Sequence, residues 1–476
     1  MTPPKRRLGL IVTAAIVIAN MIGTGVFTST GFQAAALHDP PTILLAWVVG
    51  GVLALCGAAA YAELGSLMPR AGGEYVYLRE AYHPAVGFMS GWVSLTAGFS
   101  APIAVAAIAF SRYLAKLFPA LHGEPWLATK LDVGFTSASL HFGPEQAIAI
   151  LLIIAITALH STDTRLGAKV QAGFTIAKVA LIVLFILGGV LLGRGDWSNL
   201  ASQSGGFANV GTMAFATALI YVSFAYSGWN AAAYIANEVE RPERTLPRAL
   251  MLGTGIVMAL YVLLNIVFFY AVPSDVLAEP VFEVGDAAAK ALFGSAAGNI
   301  VTAVIAIALV SSVSAMIMAG PRVYAAMAVD RALPHQLAHH NRRGVPLTAV
   351  ITQGVLASLF CVIGDPDVLI RFVGFTLAIF AALTVSAVFV MRRRGLQSAY
   401  RTWGYPVTPI LFIAMSAWIA VSQVRAQPKE SAIIAAVLLA GALFYVLFVR
   451  GKAPVADESL PEIAEARTIK DEAADD

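Results

Sequence analysis

The stretch NMIGTGVF, from Asn20 to Phe27, interrupts an apolar segment that runs from Leu8 to Phe32 and is long enough to cross a lipid bilayer. Each glycine inside a helix costs about 1 kcal/mol relative to alanine, so the two glycines around a threonine predict a break in this helix. Backbone groups that leave a helix at membrane depth must line a cavity or bind something, because lipid offers no hydrogen bonds. The stretch therefore predicts a broken first helix with a role at the break.

The composition predicts a protein with many membrane spans. Of the 476 residues, 58% are hydrophobic and only 12% are charged, and the mean hydropathy is +0.77. Apolar runs of spanning length recur along the whole chain, which excludes soluble folds. No small-residue cleavage site follows Lys5, Arg6 and Arg7. The first apolar run is therefore interpreted as a retained helix and not as a signal peptide.

Twelve apolar segments of spanning length are predicted. Their approximate bounds are 8–32, 42–64, 84–115, 145–160, 167–192, 209–236, 247–272, 287–319, 345–363, 367–391, 407–424 and 431–449. Short basic loops stay in the cytoplasm, and most Lys and Arg residues fall on the inner side if the chain starts inside. We therefore expect twelve spans, with both termini cytoplasmic, in a plasma membrane and specifically in a bacterial inner membrane.

The two ends of the chain are predicted to be cytoplasmic segments, 1–7 and 453–476. The second is rich in Asp and Glu and has too little apolar content to pack, so we expect it to be disordered. The basic residues elsewhere are interpreted as the signal for the inner side and not as a nucleic-acid footprint. Cys56 and Cys361 both fall inside predicted spans. We therefore expect no metal site and no partner subunit joined by a disulfide.

The sixth predicted span contains a second interruption, SFAYSGWN, from Ser223 to Asn230. Corresponding interruptions in two halves of a chain indicate a transporter site between inverted repeats. The N-termini of half-helices favour a carboxylate, and freed carbonyl groups accept an ammonium. Together the two breaks predict an α-amino acid as the substrate. Close helix packing is the alternative for either glycine-containing stretch taken alone.

Six motifs resemble those of a known family. They are IGTGVF at 22–27, YAELGSLMPRAGGEYVYLREAY at 61–82, QAGFTIAKVA at 171–180, FAYSGWN at 224–230, NEVERPERTLPRAL at 237–250 and GPRVYAAMAVDRALP at 320–334. The pattern resembles the amino acid–polyamine–organocation (APC) superfamily, and within it the L-type amino acid transporter family and its bacterial relatives. The resemblance covers residues 8 to about 340, and beyond them only the number and length of the helices agree.

The resemblance implies an all-α, LeuT-type fold. The first five spans, in 8–192, and the next five, in 209–391, would form inverted repeats. Spans 1 and 6 would be unwound, and spans 11 and 12, in 407–449, would lie outside the core.

The resemblance also implies where the substrate binds. The carboxylate would accept from backbone N–H groups around Gly23, Thr24 and Gly25, while the ammonium would meet carbonyl groups near Ile22 and Phe224. Phe224 matches the aromatic gate of the family, with ordinary core packing as the alternative. The other substrate-binding residues expected in the second break are Ala225, Ser227 and Gly228.

No Asp or Glu lies in the middle third of any predicted span. This predicts neutral substrates, since a charged substrate side chain would need a counter-ion there. Ser227 stands where relatives for large neutral amino acids commonly have glycine, and it resembles the branch that handles Ala, Ser and Gly. The predicted function is sodium-independent exchange or uniport of small neutral L-amino acids by alternating access, with no enzymatic activity and no cofactor. A proton-coupled symporter of broader specificity and a non-transporting amino acid sensor remain the alternatives.

Lys178 is the one base in the middle third of a predicted span, roughly 12 to 18 Å from the inner end of that span. An ionised amine at such depth costs about 2.5 to 3.5 kcal/mol. The resemblance places Lys178 where sodium-coupled relatives hold a sodium ion. Its ammonium is therefore predicted to bridge the carbonyls of Ile22 and Gly23 and a hydroxyl of Ser311 or Ser312. A lysine that only reaches the cytoplasmic interface is the alternative.

The charged loops after the second and sixth spans suggest a gate of salt bridges on the inner side. Arg70, Glu74, Glu238 and Arg241 are its candidate members. Solvated basic loops that fix the topology are the alternative for each of them.

Overall fold

The computed structural model describes residues 8–132, 137–162, 164–202, 207–278 and 283–451. The predicted terminal segments 1–7 and 453–476 lie outside the described residues. The helices of the first half are α1 (Leu10–Met21), α2 (Gly25–Leu37), α3 (Pro40–Leu67), α4 (Glu74–Ala81), α5 (Pro84–Val93), α6 (Ala101–Leu117), α7 (Pro144–Thr162) and α8 (Thr164–Leu192). A π-helical turn, Ser94–Ser100, joins α5 to α6 without a break.

The second half is also helical. Its helices are α9 (Met213–Tyr226), α10 (Pro242–Ala271), α11 (Ser274–Ala278), α12 (Val284–Val329), α13 (Leu347–Ile363), α14 (Pro366–Arg393), α15 (Val407–Ala426) and α16 (Pro428–Phe444). A 3₁₀ segment, Ala231–Glu238, follows α9, and a π-helical turn, Tyr445–Val449, extends α16.

Ten helical segments of the described residues are long and apolar enough to cross a membrane. The ninth predicted span falls on the shorter apolar helix α13, and the sixth falls on α9 together with the 3₁₀ segment. The chain is therefore a multi-pass helical membrane protein, and the count of twelve spans stays a prediction.

Buried polar side chains tie the helices together in the core. The indole nitrogen of Trp47 in α3 donates to Gln33 in α2 at 2.8 Å, and Thr30 in α2 donates to Asn265 in α10 at 2.5 Å. Buried polar groups need such partners because they have left water. These bonds fix the second half of the broken first span against α3 and α10.

A short hairpin between α6 and α7 departs from the all-α prediction. Strands β1 (Leu127–Asp132) and β2 (Ser137–Phe142) pair antiparallel, from Leu127 opposite Phe142 to Asp132 opposite Ser137. The hairpin lies in the connection between two spans. Strand β1 (LATKLD) shows no sustained alternation of apolar and polar residues, whereas β2 (SASLHF) alternates throughout, which is a strand signal over only six residues.

Helix α4 occupies the charge-rich connection after α3, which was expected to be a loop. All of its residues are buried. Three side chains from this region converge on Asp330 at the end of α12. Arg70 donates to Asp330 Oδ1 at 2.7 Å, the Tyr75 hydroxyl donates to Oδ2 at 2.8 Å, and the Arg79 guanidinium donates to the same Oδ2. Helix α4 is thereby anchored to α12.

The chain segment ahead of α1 pairs with the segment that follows the 3₁₀ turn. Leu8 and Val239 form an isolated parallel bridge. The Leu8 N–H donates to the Glu238 carbonyl at 3.1 Å, and the Glu240 N–H donates to the Leu8 carbonyl at 3.0 Å. The first and sixth predicted spans are thus joined by backbone hydrogen bonds at one end.

Candidate substrate site at two helix breaks

The predicted break in the first span is confirmed. Helix α1 ends at Met21 and α2 begins at Gly25, with Ile22 in an extended conformation between them (φ −71°, ψ 96°). Thr24 is the N-cap residue of α2, but its side chain makes no capping hydrogen bond. No side chain therefore caps the backbone N–H groups in the first turn of α2. These N–H groups suit a carboxylate ligand, because they are donors at the positive end of the helix dipole.

The second break begins later than predicted. Phe224 and Ala225 were expected in the unwound part, but α9 continues through Tyr226. The helix ends because Gly228 has φ +94°, a conformation that glycine adopts readily and other residues rarely do. The Ser227 N–H closes the last turn on the Phe224 carbonyl at 3.0 Å. The carbonyl of Phe224 is therefore already hydrogen-bonded in this conformation.

The two breaks pack directly against each other. A Cβ atom added to Gly25 would lie 2.4 Å from the Cα atom of Ala225, and one added to Gly228 would lie 2.8 Å from the carbonyl carbon and oxygen of Asn20. The Tyr261 hydroxyl in α10 joins the two breaks, with the Met21 carbonyl at 2.6 Å and the Ala225 carbonyl at 3.2 Å. The glycines at these positions permit the close approach of the two backbones.

Lys178 reaches the first break. Its side chain is 1% exposed, and its ammonium donates to the carbonyls of Ala19 at 2.9 Å and Ile22 at 2.5 Å. The Ser312 hydroxyl donates to the same Ile22 carbonyl at 3.1 Å. Lys178 and Ser312 therefore meet at Ile22 as predicted, with Ala19 in place of Gly23 as the second carbonyl.

Ser311, the other hydroxyl predicted near Lys178, lies elsewhere. Its Oγ atom accepts from the Gln171 side-chain amide at 3.4 Å. The prediction named Ser311 or Ser312 as the hydroxyl at the break, and Ser312 is the one that makes this contact.

A cavity of about 70 Å³ lies beside the second break. It is bounded by α3, the second break, α14 and α15, with Glu74 of α4 also on its wall. Ser227 and Gly228 line it, whereas the other predicted substrate-binding residues do not. Those residues are Ile22, Gly23, Thr24, Gly25, Phe224 and Ala225. The first break is shielded from this cavity because the two breaks pack on each other.

Salt bridges form near the inner ends predicted for the spans, but with partners that the sequence did not indicate. Arg70 pairs with Asp330 at 2.7 Å, and Glu238 pairs with Arg322 at 3.1 Å. Glu74, also a candidate member of that gate, instead accepts hydrogen bonds from neutral side chains.

Sequence reasoning missed Tyr261 because nothing in an apolar helix with several aromatic residues distinguishes one tyrosine.

Two helices that break at membrane depth and meet at their breaks define a class, the secondary transporters with discontinuous helices. Residues 8–460 match the family described as Amino acid permease. The chain belongs to this family. It is therefore an amino acid transporter of the APC superfamily and not an enzyme.

Named relatives cover most of the chain. The serine/threonine exchanger SteT of Bacillus subtilis is 31% identical over 417 residues, which are 87% of this chain and 90% of the relative. The human b(0,+)-type amino acid transporter 1 is 29% identical over 461 residues, 95% of this chain and 89% of the relative. The rat large neutral amino acids transporter small subunit 2 is 28% identical over 452 residues, which are 93% of this chain and 80% of the relative.

Proposed function

We propose that this chain exchanges small neutral L-amino acids across a bacterial inner membrane by alternating access, without sodium. The observation that carries the sodium-independent part is the ammonium of Lys178 on the carbonyls of Ala19 and Ile22. Two carbonyl oxygens and a nearby hydroxyl are oxygen ligands that suit a small cation. The Lys178 ammonium, which is part of the chain, would occupy these oxygens in place of a sodium ion.

The substrate is proposed to bind between the two breaks after they separate. Its carboxylate would accept from the N–H groups of Gly23, Thr24 and Gly25 at the start of α2, and its ammonium would take carbonyls freed near Ile22 and Phe224. Separation is required because Gly25 now packs against Ala225. Phe224 would then close over the substrate as a gate.

The preference for small neutral side chains rests on two features. Ser227 lines the cavity next to the second break, where its side chain limits the space. The relative named a serine/threonine exchanger is 31% identical to this chain. Exchange of L-serine, L-alanine and L-threonine is therefore the proposed activity.

The proposed architecture is the LeuT type. The first repeat would comprise the spans in 8–192 and the second those in 209–391, with the spans in 407–449 outside the core. Both breaks fall in the first helix of their repeat, as inverted repeats require. Twelve spans with both ends in the cytoplasm complete the proposal. The proposal includes no disulfide-linked subunit, and both Cys56 and Cys361 are buried.

The test is exchange of labelled L-serine by the full-length protein in proteoliposomes, with sodium replaced by choline. We expect equal rates with and without sodium, and a strong loss of exchange in Lys178→Ala. Lys290→Ala is the matched control because Lys290 is one-third exposed and pairs with Asp286 one helical turn away. A strict requirement for sodium, or full activity of Lys178→Ala, would overturn the proposal.

A further inference from the structure

Glu74 is a buried carboxylate whose recorded partners are neutral. Only 3% of the residue is exposed. Its Oε1 atom accepts from the Tyr61 hydroxyl at 2.5 Å and from the Asn230 side-chain amide at 2.7 Å. No Lys, Arg or His nitrogen within the described ranges forms an ion pair with it. Burial without a cationic partner disfavours the ionised form of this carboxyl.

The charged groups on the elements around Glu74 are engaged with other partners. On α4 itself, Arg79 pairs with Asp330 and with Glu80. The pairs on neighbouring helices are Arg392 of α14 with Glu63 of α3, and Arg322 of α12 with Glu238 of the 3₁₀ segment. The remaining titratable groups that face the carboxyl are the hydroxyls of Tyr61, Tyr77 and Tyr234. None of these groups supplies a positive charge to Glu74.

The Ser90 hydroxyl of α5 faces the carboxyl, and as a donor it would lower the pKa of Glu74. Its Oγ atom is buried, with no hydrogen-bond partner in the described part of the chain. The same Oγ could instead accept from the O–H of a protonated Glu74, while Oε1 keeps its two donors. Ser90 therefore fits either protonation state of the carboxyl.

Glu74 lies between an anchored element and the broken sixth span. Helix α4 is fixed to α12 through Asp330. On the other side, the Gly72 N–H donates to the Tyr234 carbonyl at 3.3 Å, and a Cβ atom on Gly73 would lie 2.6 Å from the Tyr234 ring. Asn230, which holds Glu74, belongs to the second break. Separation of this break from α4 would remove the Asn230 hydrogen bond and expose the Glu74 carboxyl to water.

We propose that Glu74 is a proton-binding site. It couples the docking of the broken sixth span on α4 to the pH of the solution on the side of the membrane where α4 lies. When the surfaces dock, the carboxylate takes one proton from water on the α4 side. When they separate, it returns the proton to that water. Tyr61 and Asn230 are the positioning residues of the site.

The direction of the pH dependence follows from the burial of the group. Burial raises the pKa of the Glu74 carboxyl, and the hydrogen-bonding side chains of Tyr61, Asn230 and Ser90 offset part of that rise. The docked conformation therefore binds more protons than the separated one. It is favoured at low pH and loses this advantage as the pH rises through the pKa of the docked form.

The decisive measurement is infrared spectroscopy of the full-length protein in lipid during a pH titration, which requires no transported substrate. We expect a protonated-carboxyl C=O band that persists above the ordinary glutamate pKa of about 4.3. The band should vanish in Glu74→Gln and remain in Glu80→Gln, the control on the same helix whose partner is Arg79. If the wild type and Glu74→Gln had the same protonated-carboxyl band at every pH of the titration above about 4.3, the proposal would be overturned.

A second variant keeps the test independent of the folding of Glu74→Gln. Tyr61→Phe removes one hydrogen bond to the carboxylate, so the midpoint of the band should move to higher pH. An unchanged midpoint would overturn the assignment to Glu74.

A transport experiment provides a further test. It depends on the proposed function, whereas the infrared experiment does not. The rate of L-serine exchange should vary by up to about tenfold per pH unit on the α4 side in the wild type, as expected for one linked proton. It should be flat in Glu74→Gln, and a retained slope would refute the coupling. If no exchange of serine occurs but the band behaves as expected, the proposed substrate fails and the proton site stands.

Discussion

Gly25→Ala tests whether the contact between the two breaks is part of the transport cycle. The added Cβ atom would lie 2.4 Å from the Ala225 Cα atom and 2.6 Å from its Cβ atom. Ordinary contacts begin near 3.4 Å, so α2 and α9 must move apart by about 1 Å, the difference between 3.4 and 2.4 Å. Both opposing atoms are attached to the backbone, and no side-chain rotation can relieve the clash.

Overpacking of this kind typically costs about 1 to 3 kcal/mol. That energy penalises only conformations in which the breaks touch. It corresponds to a roughly 5- to 150-fold drop in their population. Alanine keeps the backbone N–H at position 25, so the proposed donor to the substrate carboxylate survives. We therefore expect slow exchange together with retained binding of L-serine.

The assay is L-serine exchange in proteoliposomes, with binding followed by the thermal shift that the ligand produces. Gly255→Ala in α10 is the control, since its Cβ atom would meet nothing within 4 Å. Alanine there should leave exchange intact and add up to about 1 kcal/mol of helix stability. A wild-type exchange rate for Gly25→Ala would refute the reasoning that packed breaks belong to the cycle.

Two further substitutions test the substrate site. Ser227→Gly should admit L-leucine and L-phenylalanine while keeping L-alanine. The ratio by which L-leucine and L-alanine compete with labelled L-serine should change at least about tenfold, since room for one methylene is worth roughly 10- to 200-fold. An unchanged competition profile would remove Ser227 from the specificity argument. Phe224→Ala should reduce exchange more than Phe215→Ala, which truncates an equally buried ring of the same helix. Both lose about 3 to 5 kcal/mol of packing, so equal exchange per folded molecule would mean that Phe224 is ordinary core.

The break in the first span could be predicted because its cause is local. Two glycines within an apolar run weaken the helix whatever surrounds it, and the observed helix ends at Met21. The contact of Lys178 with Ile22 followed from the cost of an unpaired charge in lipid together with the family resemblance. These two residues lie 156 positions apart. The composition alone would not have predicted a contact between them.

The features that escaped prediction depend on tertiary contacts. Phe224 stays helical because the backbone turns only at Gly228, and the sequence SFAYSGWN does not distinguish these positions. Glu74 was assigned to a gate of salt bridges, yet its partners are Tyr61 and Asn230. A carboxylate next to Arg70 in a charged motif suggests an ion pair, and only the packing of α4 against the second break reveals neutral neighbours.

The backbone pairing of Leu8 with Val239 has a practical consequence for observing this protein at work. Because the segment ahead of α1 and the segment after the sixth span share hydrogen bonds, a displacement of one is transmitted to the other. A fluorophore placed on Leu8 would report the position of both broken helices at once. Amide deuterium uptake at Leu8 and Glu240 should also rise and fall in step, which gives a label-free readout of the same motion.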